Sequence, residues 1–351
     1  RSQELQQEDV SIETTAYPHP RASSAAKKNP PHHSKKQDKM VQLNAANDSV
    51  SQGVNVFFNF EALYWNMRQS DTAFALEGTS GNGSGSITNG ATGKILSNKN
   101  HWYWGARAGV GCNLPYDGWD IYLNWTHING HNNTSAAAGE KEIIDFAVGA
   151  DVAHVKSTFT FNLNWIDLVL GKAFFVSRHF SLKPYAGFRT EWLHEKQNIA
   201  RQVNANTTLN TNLKEEFVGF GFKIGTEADW RFARRWSLVG DIAFSIIPGN
   251  IENKLKVDQS SRTTPLFDVS NSYKGEAFVT DALFGIRWSK FYAQDKYNLR
   301  FQLSWENHFL FNAWRNFNLY NGTGSNGTVG RTSGSGNLAF TGLTLTSGFS
   351  F

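Results

Sequence analysis

Three side chains of the kinds used in hydrolysis, Ser304, Glu306 and His308, stand at alternate positions late in the chain. On a β-strand this spacing places a nucleophile, an acid and a base on one face. At ~3.4 Å of rise per residue, however, Ser304 and His308 lie roughly 13 Å apart, too far for the base to take the nucleophile's proton. A triad would need a partner from a neighbouring strand, and no GxSxG, HExxH or P-loop pattern accompanies the three. The expectation is therefore no catalytic residues and no enzyme. Metal chemistry has as little support. The one cysteine, Cys112, excludes an intramolecular disulfide and any Cys-based metal site, and His32-His33 with its flanking lysines reads as solvated tail. No metal and no cofactor is expected. With 34 Lys+Arg against 30 Asp+Glu, the formal charge of +4 is too small and too dispersed for a nucleic-acid partner.

The element that carries Ser304 to His308 says more than the three residues do. Leu299, Phe301, Leu303, Trp305 and Phe309 occupy one parity, and Arg300, Gln302, Glu306 and His308 the other. This period of two, apolar against polar, is that of a β-strand with one wet and one apolar face. The last stretch repeats it: Leu343, Leu345, Phe349 and Phe351 alternate with Thr344, Thr346, Gly348 and Ser350 without a charge. So do Val56 to Tyr64, Trp102 to Val110, Trp119 to Trp125, Leu182 to Trp192, Val218 to Trp230, Trp236 to Ile246 and Phe278 to Trp288. Phe159, Phe161, Leu163 and Trp165 open the same pattern on a further strand.

Composition limits what such strands can build. The chain has 351 residues, 40% of them hydrophobic, and no apolar run near the ~18 to 20 residues of a membrane helix, which excludes a helical membrane protein. Aromatic content is 14%, with 12 Trp and 27 Phe beside 31 Gly, a mixture that suits strands and turns. Residues 1–52 are polar and nearly free of aromatics, and read as a disordered extension. The chain is expected to begin after a removed signal peptide.

Connections alternate in length. Short ones at 113–118, 177–180, 232–235 and 289–298 are interleaved with long polar ones near 69–100, 129–156, 195–214, 248–275 and 313–336. Short periplasmic turns and long external loops are the asymmetry of an outer-membrane barrel. Tryptophan placement agrees: Trp119, Trp230, Trp236 and Trp288 flank short turns, while Trp125, Trp192 and Trp305 lie several residues further along, so two aromatic girdles are expected. The fold class expected for residues 53–351 is an all-β, transmembrane antiparallel barrel of about 10 to 12 strands. Ten strands read clearly, and a further hairpin could lie in 69–100 or in 140–156, where Ile143, Phe146 and Val148 give a weak pattern.

Inside such a barrel the polar parity faces the lumen. The expected pore-lining residues are Lys183, Arg189, Lys223, Arg287 and Arg300, with Asp120, Glu191, Glu227, Asp241, Asp281, Glu306 and His308. The opposite charges nearly cancel, so a pore lined by them would have weak charge preference. Charges of both signs at these depths are tolerable only facing water or one another.

The phrases FNFEALYW, GARAGVGCNLPYDGWDIYLNWTHI, DLVLGKAFFVSRHFSLKPYAGFR and LTSGFSF, spread over residues 54–351, resemble the major outer-membrane-protein-like porins of Legionella and of chlamydia-related bacteria. The resemblance implies a bacterial outer-membrane location and passive diffusion of small hydrophilic solutes. The rival reading is a narrow structural or adhesin barrel acting through its surface loops. The resemblance also implies that Phe349 and Phe351 form the signal read by the barrel assembly machinery. Further expected partners are outer-membrane lipid and lipopolysaccharide, with a homo-oligomer as an option. Chlamydial members are rich in cysteine, and a chain whose only cysteine is Cys112 departs from them there.

Overall fold

The computed structural model describes residues 55–79, 90–115, 118–146, 150–321 and 329–351, and their side chains except those of Ala150, 314–321 and 329–335. The expected extension 1–52, residues 80–89 of the expected long connection 69–100, and Val148 lie outside the described residues.

Ten long strands make the wall: β1 (Val56–Gln69), β2 (His101–Asn113), β3 (Trp119–Ala137), β4 (His154–Lys172), β5 (Phe180–Asn204), β6 (Thr207–Ala233), β7 (Trp236–Gln259), β8 (Phe267–Tyr292), β9 (Tyr297–Asn321) and β10 (Val329–Ser350). Each pairs antiparallel with the next, and β10 pairs with β1 from Phe57↔Ser350 to Gln69↔Leu338, which closes the ring. At the seam the Val56 N–H donates to the Phe351 carbonyl at 3.1 Å and the Phe351 N–H returns the bond at 3.0 Å. Closure leaves no edge in the lipid zone, where an unpaired backbone group would cost several kcal/mol.

The outer face explains the length of the strands. On β5 to β8, the outward positions of 182–192, 220–230, 236–246 and 278–288 carry exposed Phe188, Phe222, Ile224, Ile242, Phe244 and Phe284. Each window is eleven residues, about what a tilted strand needs to cross the hydrocarbon. The same strands then continue with His194, Lys196, Lys214, Glu216, Lys254 and Lys274 outward, so they rise beyond the lipid into water.

Three connections expected to be loops are therefore strand. β5 and β6 stay paired as far as Asn204↔Thr207, β7 and β8 as far as Val257↔Phe267, and β9 and β10 as far as Asn321↔Val329. A backbone ladder does not require an apolar outer face, and the inward Ile199, Leu213, Leu255 and Val257 keep the alternation going on one side. The other two long connections contribute a separate four-stranded sheet, ordered Thr92–Leu96, Ala75–Thr79, Glu142–Asp145, Ala150–Asp151. The weak pattern around Ile143 belongs to this sheet, and the wall has ten strands. One apolar parity also turns the other way: Phe159, Phe161, Leu163 and Trp165 of β4 are buried inside the barrel, not set against lipid. They meet an apolar filling that occupies the outer half of the lumen.

Candidate functional site: the barrel interior

Because side chains alternate on every strand, the interior is a stack of layers. The half near the short turns is charged. A chamber of about 200 Å³ is lined by eleven of the twelve inward charged positions expected from parity: Asp120, Lys183 and Arg189; Lys223, Glu227 and Asp241; Asp281, Arg287 and Arg300; Glu306 and His308. Glu191 does not line it. It sits higher, beside a void of about 10 Å³, with both carboxylate oxygens buried and without a hydrogen-bond partner among the described residues.

The chamber's charges are joined across the lumen. Arg189 on β5 donates through Nε to Asp167 Oδ1 on β4 at 2.6 Å and through Nη2 to Oδ2 at 2.8 Å, and its Nη2 lies 2.9 Å from Asp281 on β8. Lys223 on β6 bridges the same two carboxylates at 2.7 and 3.3 Å. His308 on β9 continues the chain, with Nδ1 2.8 Å from Asp281 and Nε2 2.9 Å from Glu306. Both ring nitrogens are thereby engaged by carboxyl groups. Glu306 then takes Arg107 on β2 at 3.0 Å, and Arg107 reaches Glu61 on β1 at 2.6 Å. A second group ties Lys183 to Asp120 at 3.5 Å and to Glu227 at 3.4 Å, and Arg287 to Glu227 at 2.7 Å and to Asp229 at 3.0 Å.

Four members of these networks, Glu61, Arg107, Asp167 and Asp229, were not among the expected lining residues. Glu61, Arg107 and Asp229 stand on the polar parity of their strands, so alternation alone could have found them, whereas Asp167 shares its parity with Phe159, Phe161, Leu163 and Trp165 and reads from the sequence as part of that apolar face. Ser304 is inward and buried, and its Oγ donates to the Thr344 carbonyl at 3.4 Å, while both nitrogens of His308 are engaged elsewhere.

Above the charged layer lie two tryptophans. Trp65 and Trp165 flank His308, with ring centroids 4.5 and 5.2 Å from the imidazole. Arg107 lies over the Trp65 ring at 5.5 Å and Arg189 over the Trp165 ring at 4.8 Å, cation–π contacts that join the layers. Beyond them Ile128, Phe159, Phe161, Leu193, Phe217, Ile251, Leu310 and Phe340 are buried and form one apolar cluster, with the inward Glu195, Gln197, Arg201, Glu215 and Asn253 buried among them. Phe74, Ala75, Leu96, Ile143 and Val152 belong to the same cluster, so the four-stranded sheet is packed into the outer mouth. Buried Arg201 of β5 holds it there, pairing with buried Asp145 and donating to Thr211 Oγ1 at 2.6 Å. Among the described residues, no group of His, Cys, Asp and Glu side chains is arranged to hold a metal ion.

The seven tryptophans expected in the girdles all point outward from the wall. Trp125, Trp230, Trp236 and Trp305 are exposed and Trp119, Trp192 and Trp288 half-buried. Trp305 Nε1 donates to Thr341 Oγ1 at 3.1 Å. Phe349 faces outward, with its ring 5.9 Å from that of Tyr297, and Phe351 stacks on Phe58 at 6.1 Å beside the closing seam.

A closed ten-stranded barrel with an apolar outer belt and aromatic rims defines an outer-membrane β-barrel protein. Residues 54–351 match the family described as the Legionella pneumophila major outer membrane protein precursor, and the chain belongs to that family. Its location is the outer membrane. No curated protein matches the chain. Solved structures similar to it include the outer membrane protease OmpT of Escherichia coli, at 11% identity and TM-score 0.42, covering 86% of this chain and 98% of that one. A FadL homologue of Pseudomonas aeruginosa matches at 8% identity and TM-score 0.26, with 88% and 92% covered. The toluene transporter TodX of Pseudomonas putida matches at 9% and 0.25, with 84% and 89% covered. These likenesses are too low to carry anything about activity.

Proposed function

We propose that the chain is a pore for small hydrophilic solutes that stands closed in this structure and opens when its loop sheet leaves the outer mouth. One observation carries the reading: part of the outer filling, Phe74, Ala75, Leu96, Ile143 and Val152, belongs to connections and not to the wall. It can move without breaking a wall ladder. The chamber beneath is lined by six Lys or Arg and seven Asp or Glu, a near balance that favours weak charge selectivity. The reading assigns no catalytic role, since the engagement of both His308 nitrogens leaves Ser304 without a base.

A specific observation favours a second reading, a closed barrel that anchors surfaces outside the cell. The ion pairs that cross the chamber act as struts, and a strutted lumen passes little. Planar bilayers separate the two. The full-length protein is expected to be mostly silent, and a variant with residues 75–96 replaced by a short Gly/Ser turn to show stepwise conductance with near-equal cation and anion permeability. A folded, silent variant would overturn the pore and leave the anchor.

A further inference from the structure

Just above the lipid-facing belt, the outer face of β5, β6 and β7 carries three lysines side by side. Lys196 pairs in register with Lys214, and Lys214 with Lys254, so three like charges stand directly opposite one another on adjacent strands. Such placement is destabilising unless an anion offsets it. The protein's own acids do so only in part: Lys214 leans along its strand to Glu216, Lys254 comes within 3.8 Å of Asp268, and Lys196 has no ion pair among the described residues. Glu216 and Glu252 form the row on the membrane side of the lysines. They repel an anion from the acyl boundary and favour holding it one row further out.

Beside the lysines, toward β3, lies a second, preorganised surface. His127 Nδ1 and Trp125 Nε1 both meet Asn164 Oδ1, at 2.8 and 3.3 Å, Asn164 donates to Asn162 at 2.7 Å, and Asn129 donates to His127 Nε2 at 2.9 Å. Trp192 is the register neighbour of Asn164, and His194 that of Asn162. The amides, the imidazole and the indoles face outward at the outer end of the apolar belt, with Asn162 and His194 in the same row as Glu216.

We propose that Lys196, Lys214 and Lys254, with the Trp125–His127–Asn164–Asn162 surface beside them, bind the phosphorylated sugar headgroup of an outer-leaflet glycolipid. Phosphate neutralises the lysine row, amides and indoles meet the sugar, and the apolar belt beneath accepts the acyl chains. The site lies outside the lumen and rests only on the outer-membrane location, so it stands or falls separately from the pore.

The test uses full-length protein in detergent micelles, with bis-phosphorylated lipid A and its dephosphorylated form as probes and binding read by native mass spectrometry. The triple variant K196Q/K214Q/K254Q is expected to lose at least tenfold in affinity for the phosphorylated probe and little for the dephosphorylated one. Millimolar inorganic phosphate is expected not to compete, because a free anion lacks sugar and acyl contacts. A second variant, H127A/N164A, is expected to weaken both probes. Retained heat-modifiable mobility on gels shows that each variant is folded, and single lysine replacements serve if the triple variant is not. Equal binding of the two probes by the native protein, unchanged binding by the lysine variants, or displacement by inorganic phosphate would each overturn the proposal.

Discussion

The two halves of the barrel interior obey the same alternation and solve opposite problems. In the inner half, inward positions are largely charged and most carboxylates find a cation across the lumen, as Asp167 and Asp281 share Arg189 and Lys223, while Asp241 accepts from the Tyr185 hydroxyl. In the outer half, a buried apolar cluster, interrupted by the inward Glu195, Gln197, Arg201 and Glu215, meets a loop sheet in place of the opposite wall. A buried ion pair is costly to break and contributes little beyond what an apolar filling would. A packed apolar layer contributes in proportion to the surface it removes from water. The inner half therefore fixes which strands face each other, while the outer half supplies packing through a part that can be withdrawn.

The harshest test of this contrast is Arg189→Ala. Arg189 is 1% exposed and carries both Asp167 and Asp281, and its loss leaves Asp167 with Lys223 alone and Asp281 with Lys223 and His308. A cost of about 3–5 kcal/mol is expected. It should appear as a lowered urea midpoint for the whole barrel, followed by loss of heat-modifiable mobility. A shift under about 1 kcal/mol would mean that the chamber is wet enough to solvate the carboxylates, and the contrast between halves would fail.

A smaller and local effect is expected in the outer half. Ile143→Ala removes a fully buried side chain of the loop sheet, at about 2–3 kcal/mol within the measured range for such truncations. Because the sheet lies outside the wall ladders, this change should loosen the mouth without moving the barrel's unfolding midpoint. Trypsin would read it out, by faster cutting at Lys94, Lys99 and Lys141 while the wall fragments stay intact. A matching fall in the barrel midpoint would show that the sheet is as integral as the wall.

How far the sequence reveals these halves depends on which face a signal lies on. The lipid belt was legible because outward Phe, Ile and Trp alternate with polar residues, as from Val218 to Trp230, and the lysines and acids of the chamber, Asp167 of β4 excepted, followed from the other parity. The extensions of β5 to β8 were not legible as strands, since both Lys254 and Asn253 are polar although one points to water and the other into the lumen. Leu255, Val257, Ile199 and Leu213 kept the period, but on one face and amid lysines and asparagines that read as loop. On β4, Phe159 to Trp165 looks identical to a lipid face because an apolar plug and lipid select the same side chains. What lies opposite a face is a tertiary fact. The ion pairs were out of reach for the same reason: parity shows that Arg107 and Glu306 are inward, and only closure of the wall shows that β2 and β9 bring them together.

The finest comparison keeps every charge and changes only geometry. Arg107 spends its guanidinium on four groups: Nη1 donates to Glu61 at 2.6 Å and to Glu306 Oε1 at 3.3 Å, Nη2 to Glu306 Oε2 at 3.0 Å, and Nε to Thr126 at 2.9 Å, while its plane lies over Trp65. A lysine there keeps the positive charge but offers one compact ammonium, which cannot hold Glu306 with two parallel bonds and reach Glu61 and Thr126 as well. Arg107→Lys is therefore expected to cost about 1–2 kcal/mol, less than the loss of Arg189, because no carboxylate is left without a cation nearby. The same variant probes the joint between the halves, since Arg107 carries both Glu306 of the charged layer and the face of Trp65 beneath the plug. If the strut geometry matters, urea unfolding should shift downward by that amount and brief openings should become more frequent in bilayers even with the loop sheet in place. If charge alone holds the chamber together, Arg107→Lys should match the native protein in both measurements, and the cross-lumen network would then count as diffuse electrostatics and not as a set of directed bonds.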